Sequence, residues 1–313
     1  MTRTAPALLL AALLGAAPVN AAPALADPVS YREDFEAWTP AESPVQPCQR
    51  AENAFAVRDD AARGGKVLGL SLRNPGDVRA EVTAAPVPWK GCLDPANPNA
   101  PYLQPHRDRA DVWEAEARHL PFGSDVWYGF AMRIDGRVGT DDGVRLVVGQ
   151  WKGWGDASPF VAQRFKNRRF HITIQNDAAP EDGGGECRIL LAYQGDRAPQ
   201  PESFRHTTKE TTAEPCMRDV SVERFAPLPD PFGHWVDMVY HIRPSLGSDG
   251  IVEVWANGVR IARATGRIGQ RLFDGVQYFN FGPYRDKAPY GLTVHLDDLA
   301  RGRSYEEVAP RGR

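Results

Sequence analysis

Short runs in which apolar and polar positions alternate recur along the chain, each bounded by glycine, proline, asparagine or aspartate. Alternation with period two, rich in β-branched and aromatic residues, is the signature of half-buried strands. It predicts strands at 31–36, 67–72, 79–83, 111–118, 126–134, 145–151, 170–175, 235–242, 251–256, 259–264, 277–281 and 292–299. The strongest local signal is Asn257-Gly258 between two such runs, because Asn-Gly supplies the two positive φ angles of a type I′ hairpin turn. No long amphipathic helix competes with this pattern. About a dozen short strands imply an all-β, antiparallel two-sheet sandwich of jelly-roll type. No linker or repeat divides it, so residues 27–313 read as one domain, with 84–110 and 176–232 as long loops.

The N-terminus follows a different rule. Arg3, an apolar run from Ala7 to Leu14 and small residues at Ala21, Ala24 and Ala26 have the order of a secretory signal peptide over residues 1–26, cleaved near Ala21 or Ala26. The run is shorter than the ~20 residues a membrane span needs, and no later stretch qualifies. The mature protein is therefore expected to be secreted or periplasmic. In that oxidising space the widely spaced Cys48, Cys92, Cys187 and Cys216 are expected to pair, since a zinc site would show Cys-x-x-Cys spacing. Three connectivities are open, and proximity favours Cys48–Cys92 with Cys187–Cys216. With 37 Lys+Arg against 40 Asp+Glu in 313 residues, the net charge of −3 argues against a general nucleic-acid binder. A monomer is expected.

Several strands place reactive side chains together, because residues two apart share a face. Arg79 and Glu81 project side by side, and a guanidinium in that position can hold a substrate carboxylate in fork geometry. A solvated surface ion pair is the competing reading. Gln150 and Lys152 flank Trp151 in the same way, and Trp151 with Trp154 could offer faces for sugar rings to stack on or could pack in the core. Glu114, Glu116 and Arg118 line a further face; Glu114 and Glu116 could serve as a glycosidase acid/base pair or simply form a charged stripe. Tyr284 and Arg285 follow a Gly-Pro step that is expected to end their strand.

Taken in order, these segments resemble the secreted polysaccharide lyases of the heparin lyase I-like and glucuronan lyase-like group, with the layout of alginate lyase jelly rolls. The motifs that carry the resemblance are Arg79-x-Glu81, Trp127-Tyr128-Gly129-Phe130, Gln150-Trp151, His234-Trp235-Val236-Asp237, Trp255-Ala256-Asn257-Gly258, Tyr278-Phe279-x-Phe281-Gly282-x-Tyr284-Arg285 and Leu296-Asp297-Asp298. The resemblance implies a concanavalin A-like jelly roll with a groove across its concave sheet, cleaving a uronate-containing acidic polysaccharide by β-elimination. It makes Arg79 and Gln150 the groups that neutralise the uronate carboxylate and Tyr284 the proton donor. The chain departs from the pattern at Lys152, where the group usually has His, and at Asn280, where it usually has Lys. Lys152 is then a base only if its pKa is drawn down, and otherwise a second neutralising cation, leaving Tyr284 or His171 to take the proton. Glu81, Glu116, Arg118, Trp151, Trp154, His171, Asn280 and Arg285 are expected to contact substrate. A non-catalytic carbohydrate-binding jelly roll and a glycoside hydrolase are the rival readings. No cofactor is required by this chemistry, although Glu36 and Asp298 could meet across paired terminal strands to bind Ca²⁺.

Overall fold

The computed structural model of the protein describes residues 30–39, 43–49, 54–84, 120–136, 138–139, 143–153, 158–177, 185–206, 211–212, 216–270 and 276–312. In chain order the strands are β1 (Tyr31–Glu33), β2 (Val45–Gln49), β3 (Phe55–Asp60), β4 (Gly65–Leu72), β5 (Glu81–Ala84) and β6 (Leu120–Pro121). They continue as β7 (Val126–Gly136), β8 (Leu146–Gly153), β9 (Val161–Lys166), β10 (Arg169–Asp177), β11 (Glu186–Tyr193), β12 (Ser203–His206) and β13 (Thr211–Thr212). The last are β14 (Val220–Arg224), β15 (Val236–Arg243), β16 (Ser245–Ala256), β17 (Val259–Ile268), β18 (Val276–Arg285) and β19 (Leu292–Gly302), followed by the one-turn helix α1 (Tyr305–Val308).

The strands form two antiparallel sheets of a jelly-roll sandwich. One runs β14-β17-β16-β15-β7-β19-β4-β3 with β1 against β19; the other runs β13-β12-β11-β10-β9-β8-β18-β5-β2 with β6 against β18. Inward-facing side chains of both sheets make one core, centred on aromatic residues. The Trp151 ring centroid lies 4.4 Å from that of Phe279 in its own sheet and 4.4 Å from that of Tyr240 across the sandwich, and Phe130 stacks on Phe279 at 5.4 Å. Such rings bury large apolar areas and gain further from offset and tilted contact. Asn257 and Gly258 adopt the expected positive φ angles, 49° and 77°, in the tight β16–β17 turn.

The long-loop expectation for 176–232 does not hold. This stretch carries β11, β12, β13 and β14, and a Cys187–Cys216 disulfide fastens β11 to the segment before β14. The Arg188-to-Tyr193 run was concealed by the Pro- and Gly-rich sequence around it. Strands β2, β3 and β9 were also not anticipated. The segments 85–119 and 1–29, and with them the strand expected at 111–118, the signal peptide and Cys92, lie outside the described residues.

The terminal strands do pair, Glu33 opposite Leu299, as the Glu36 and Asp298 expectation requires. Asp298 accepts from Arg32 and from the Arg311 amide, while Glu36 accepts from the Lys66 amide at 2.9 Å. Each carboxylate is thus engaged with a protein donor of its own. Among the described residues no group of three or more His, Cys, Asp or Glu side chains is placed to hold a metal ion.

Candidate active site

The outer face of the second sheet gathers most of the singled-out polar residues. Across β5, β18, β8, β9 and β10, Thr83, Asn280, Gln150, Ala162 and Thr173 stand in one register row. A second row joins Arg79, Tyr284, Val147, Arg164, His171 and Tyr193. Strands lie ~4.8 Å apart, so this row spans about 24 Å, long enough for several sugar rings.

Two irregularities set the phase. In β8 the register slips between Val147 and Gln150, so that Leu146 and Val148 point into the core yet Gln150 and Lys152 share the outer face with Val147. A bulge inserts the residue that permits this. In β18 the register slips between Phe281 and Tyr284, where Gly282 holds φ 135° and a Cβ would lie 2.1 Å from the Ala80 carbonyl oxygen. Only glycine fits such a position. The Gly-Pro step therefore does not end the strand: Tyr284 still pairs with Val147 and stands beside Arg79.

Glu81 is the hub of the cluster. It is 0% exposed, accepts from Gln150 Nε2, and its Oε2 lies 2.9 Å from Arg79 Nε in an ion pair without hydrogen-bond alignment. Burial pushes its pKa up, against the opposing pull of Arg79, Lys152 and Gln150. The solvated-pair reading of Arg79 and Glu81 is thereby corrected: a buried carboxyl holds the guanidinium and the amide from behind. Above them the Arg79 guanidinium lies 3.9 Å, and that of Arg145 4.6 Å, from the Tyr284 ring centroid, fixing the phenol between two cations. Asn280 sits next to Gln150 and accepts from the Thr83 hydroxyl at 2.6 Å.

Other expected contacts fall elsewhere. Trp151 is 1% exposed in the aromatic core and offers no face to a sugar. Arg285 is buried on the opposite side of Tyr284, where it donates to the carbonyls of Tyr290 (2.5 Å), Asp77 (3.3 Å) and Asn74 (3.4 Å) and so ties down two loops. His171 lies on the groove side but only 2% exposed, two strands beyond β18's neighbour β8, and burial together with Arg164, Arg188 and Lys166 draws its pKa down to about 3. Glu114, Glu116, Arg118 and Trp154 lie outside the described residues. Arg145, Arg164 and Arg188, which the sequence reading passed over, join the groove face. Arg164 and Arg188 sit on strands not recognised from the sequence.

A basic groove with a buried carboxyl beneath it suits an anionic polymer, and comparison with known proteins decides the family. Residues 34–300 match the model of the polysaccharide lyase family. The chain belongs to that family. The lyase thus cleaves a uronic-acid-containing polysaccharide by β-elimination, and hydrolysis or binding without cleavage is not favoured. No curated protein matches the sequence. Among solved structures, the lyase is similar to an endo-β-1,4-glucuronan lyase from the fungus Trichoderma reesei, with 15% identity and a TM-score of 0.48, covering 90% of this chain and 99% of that one. It is also similar to alginate lyase A1-II′ of polysaccharide lyase family 7 (15% identity, TM-score 0.43, covering 80% of this chain and 84% of that one). A third is alginate lyase Aly36B (12% identity, TM-score 0.43, covering 88% of this chain and 97% of that one). No helix of the described residues is long and apolar enough to cross a membrane.

Proposed function

We propose that the lyase acts on a polyuronate outside the cytoplasm, with Arg79, Gln150, Lys152 and Tyr284 as its working residues. The observation that carries this reading is the convergence of Arg79, Gln150 and Lys152 on the buried Glu81, with the Tyr284 ring held against the Arg79 guanidinium. The uronate carboxylate docks against Arg79, Gln150 and Lys152. Neutralised there, it lets the adjacent carbon shed its proton. Lys152 acts in this scheme as a cation, its charge felt at Glu81, rather than as a base.

Tyr284 moves the protons. Its oxygen takes the proton from the carbon bearing the carboxylate while its own hydroxyl proton passes to the departing glycosidic oxygen. The electron pair of the broken C–H bond becomes the new carbon–carbon double bond, and the carbon–oxygen bond to the leaving sugar breaks. His171 is not needed: it stands across β8 and β9 from Tyr284. The Cys187–Cys216 disulfide and the signal-like residues 1–26 support export, and residues 27–313 work as one monomeric lyase domain.

The test is a kinetic comparison of Tyr284→Phe and Gln150→Ala with the parent protein. Loss of the hydroxyl should lower kcat by ~10²–10⁴, the usual weight of a positioned proton donor and acceptor, with little change in melting temperature because the ring stays between its guanidiniums. A fully active, normally folded Tyr284→Phe protein would overturn the assignment.

A further inference from the structure

The same groove holds a second concentration of positive charge that the elimination chemistry does not use. Arg164 on β9 reaches along the sheet and donates from Nε to Thr173 Oγ1 at 3.0 Å, although only 7% of it is exposed. Arg188 on β11, opposite Gln175, enters from the far side, its guanidinium 5.3 Å from the Phe204 ring centroid. Neither arginine makes a salt bridge with a described residue. The surrounding field is mainly repulsive: burial, Arg188 and Arg145 all weigh against the charge on Arg164, and Glu186 is the one carboxylate acting on both.

That arrangement is costly for a protein at rest. A guanidinium stays charged in any protein setting, and buried like charges without a carboxylate in contact are destabilising unless something else balances them. Arg188 Nε and the Gln175 side-chain oxygen Oε1 are buried without a hydrogen-bond partner, Gln175 Nε2 donates to Glu186 at 3.1 Å, and Gln175 is 0% exposed. The floor thus presents cationic donors and a free acceptor side by side, the set that a sugar ring carrying both a carboxylate and hydroxyls would satisfy.

We propose that Arg164 and Arg188 form a second anion subsite, which binds the carboxylate of a uronate ring further along the polymer than the ring being cleaved. Arg188 and Lys152 are three strand spacings apart across β8, β9, β10 and β11, about 14 Å, and Arg164, rooted on β9 beside β8, turns its guanidinium away towards Thr173 on β10, so the ring held at Arg188 is a different one from the ring held at Lys152. The enzyme accordingly reads a run of acidic sugars rather than one. This inference rests on the polyuronate reading above and names how that polymer is held.

Binding is measured by calorimetry in the Tyr284→Phe background with glucuronate oligomers of two and six rings, and with a neutral glucan hexamer. Adding Arg188→Gln should weaken six-ring binding about 10- to 100-fold, the worth of a charge-assisted hydrogen bond, and erase most of the gain of six rings over two. Arg188→Lys should fall between, keeping the charge and losing the fork. Unchanged six-ring affinity in a normally melting Arg188→Gln protein, or equal binding of the neutral hexamer, would overturn the subsite. The two readings separate: if the parent protein cleaves polyuronates but Arg188→Gln leaves affinity and KM unchanged, the subsite fails alone. If Arg188-dependent binding persists without any cleavage, the subsite stands and the lyase assignment fails.

Discussion

Replacing Arg79 by methionine isolates the role given to Glu81. The substitution keeps much of the side-chain volume but removes the guanidinium 2.9 Å from a carboxyl that is 0% exposed. Breaking a buried ion pair from one side costs about 3–5 kcal/mol, because the remaining charge is left uncompensated. The Arg79 side chain is 29% exposed, and Gln150 and Lys152 still face Glu81, so the low end, about 3 kcal/mol, is expected. The pH dependence has a definite sign. Burial already raises Glu81 above its ordinary 4.5, and losing Arg79 raises it further. Both folded proteins keep the Glu81 proton at low pH, so the destabilisation relative to the parent is small there and grows as pH rises through the parent's own raised pKa, which lies above 4.5. Urea unfolding at pH 4 and pH 7 reads this directly. Adding Glu81→Gln to Arg79→Met should restore most of the stability at pH 7 while leaving the protein inactive. A loss below about 0.5 kcal/mol at pH 7, or a double variant no more stable than Arg79→Met, would refute the reasoning.

Three further outcomes follow from the same structure. His171 is held at about 3 rather than 6.5, so the native state stays neutral while the unfolded chain takes up a proton; stability should fall as pH drops from 6.5 towards about 3, by at most about 5 kcal/mol, and His171→Gln should flatten that limb in acid-unfolding curves. Trp151→Ala should cost about 3–5 kcal/mol in urea unfolding, because the ring sits in the core; a loss of substrate affinity without loss of stability would return Trp151 to the groove. Replacing both Cys187 and Cys216 by alanine opens a loop of 29 residues' separation and should lower unfolding free energy by about 3.5 kcal/mol.

Much of this was legible in the sequence because it depends on local rules. Arg79 and Glu81 share a face by the period of a strand, and the Asn257-Gly258 turn follows from backbone sterics alone. Trp151 was ambiguous for a physical reason. Leu146 and Val148 face the core, and unbroken alternation would send Gln150 after them; the bulge in β8 reverses the phase and buries Trp151 instead. A bulge depends on the neighbouring strand, which no single segment of sequence displays. Arg164 and Arg188 were missed for the same reason, since β9 and β11 reveal an outer face only once β10 lies between them. Glu81's hold on Gln150 joins residues from two strands with β18 between them, a contact that pairing creates.

The central claim is elimination at the Arg79, Gln150, Lys152 and Tyr284 cluster, and the product tests it most directly. Ultraviolet absorbance should be followed over time for the mature protein with glucuronan, alginate, heparin, heparan and chondroitin, beside Tyr284→Phe. The account predicts rising absorbance from an unsaturated chain end on at least one polyuronate, and a rate at least ~10²-fold lower for the variant. New reducing ends without ultraviolet absorbance, or equal rates for the two proteins, would contradict it.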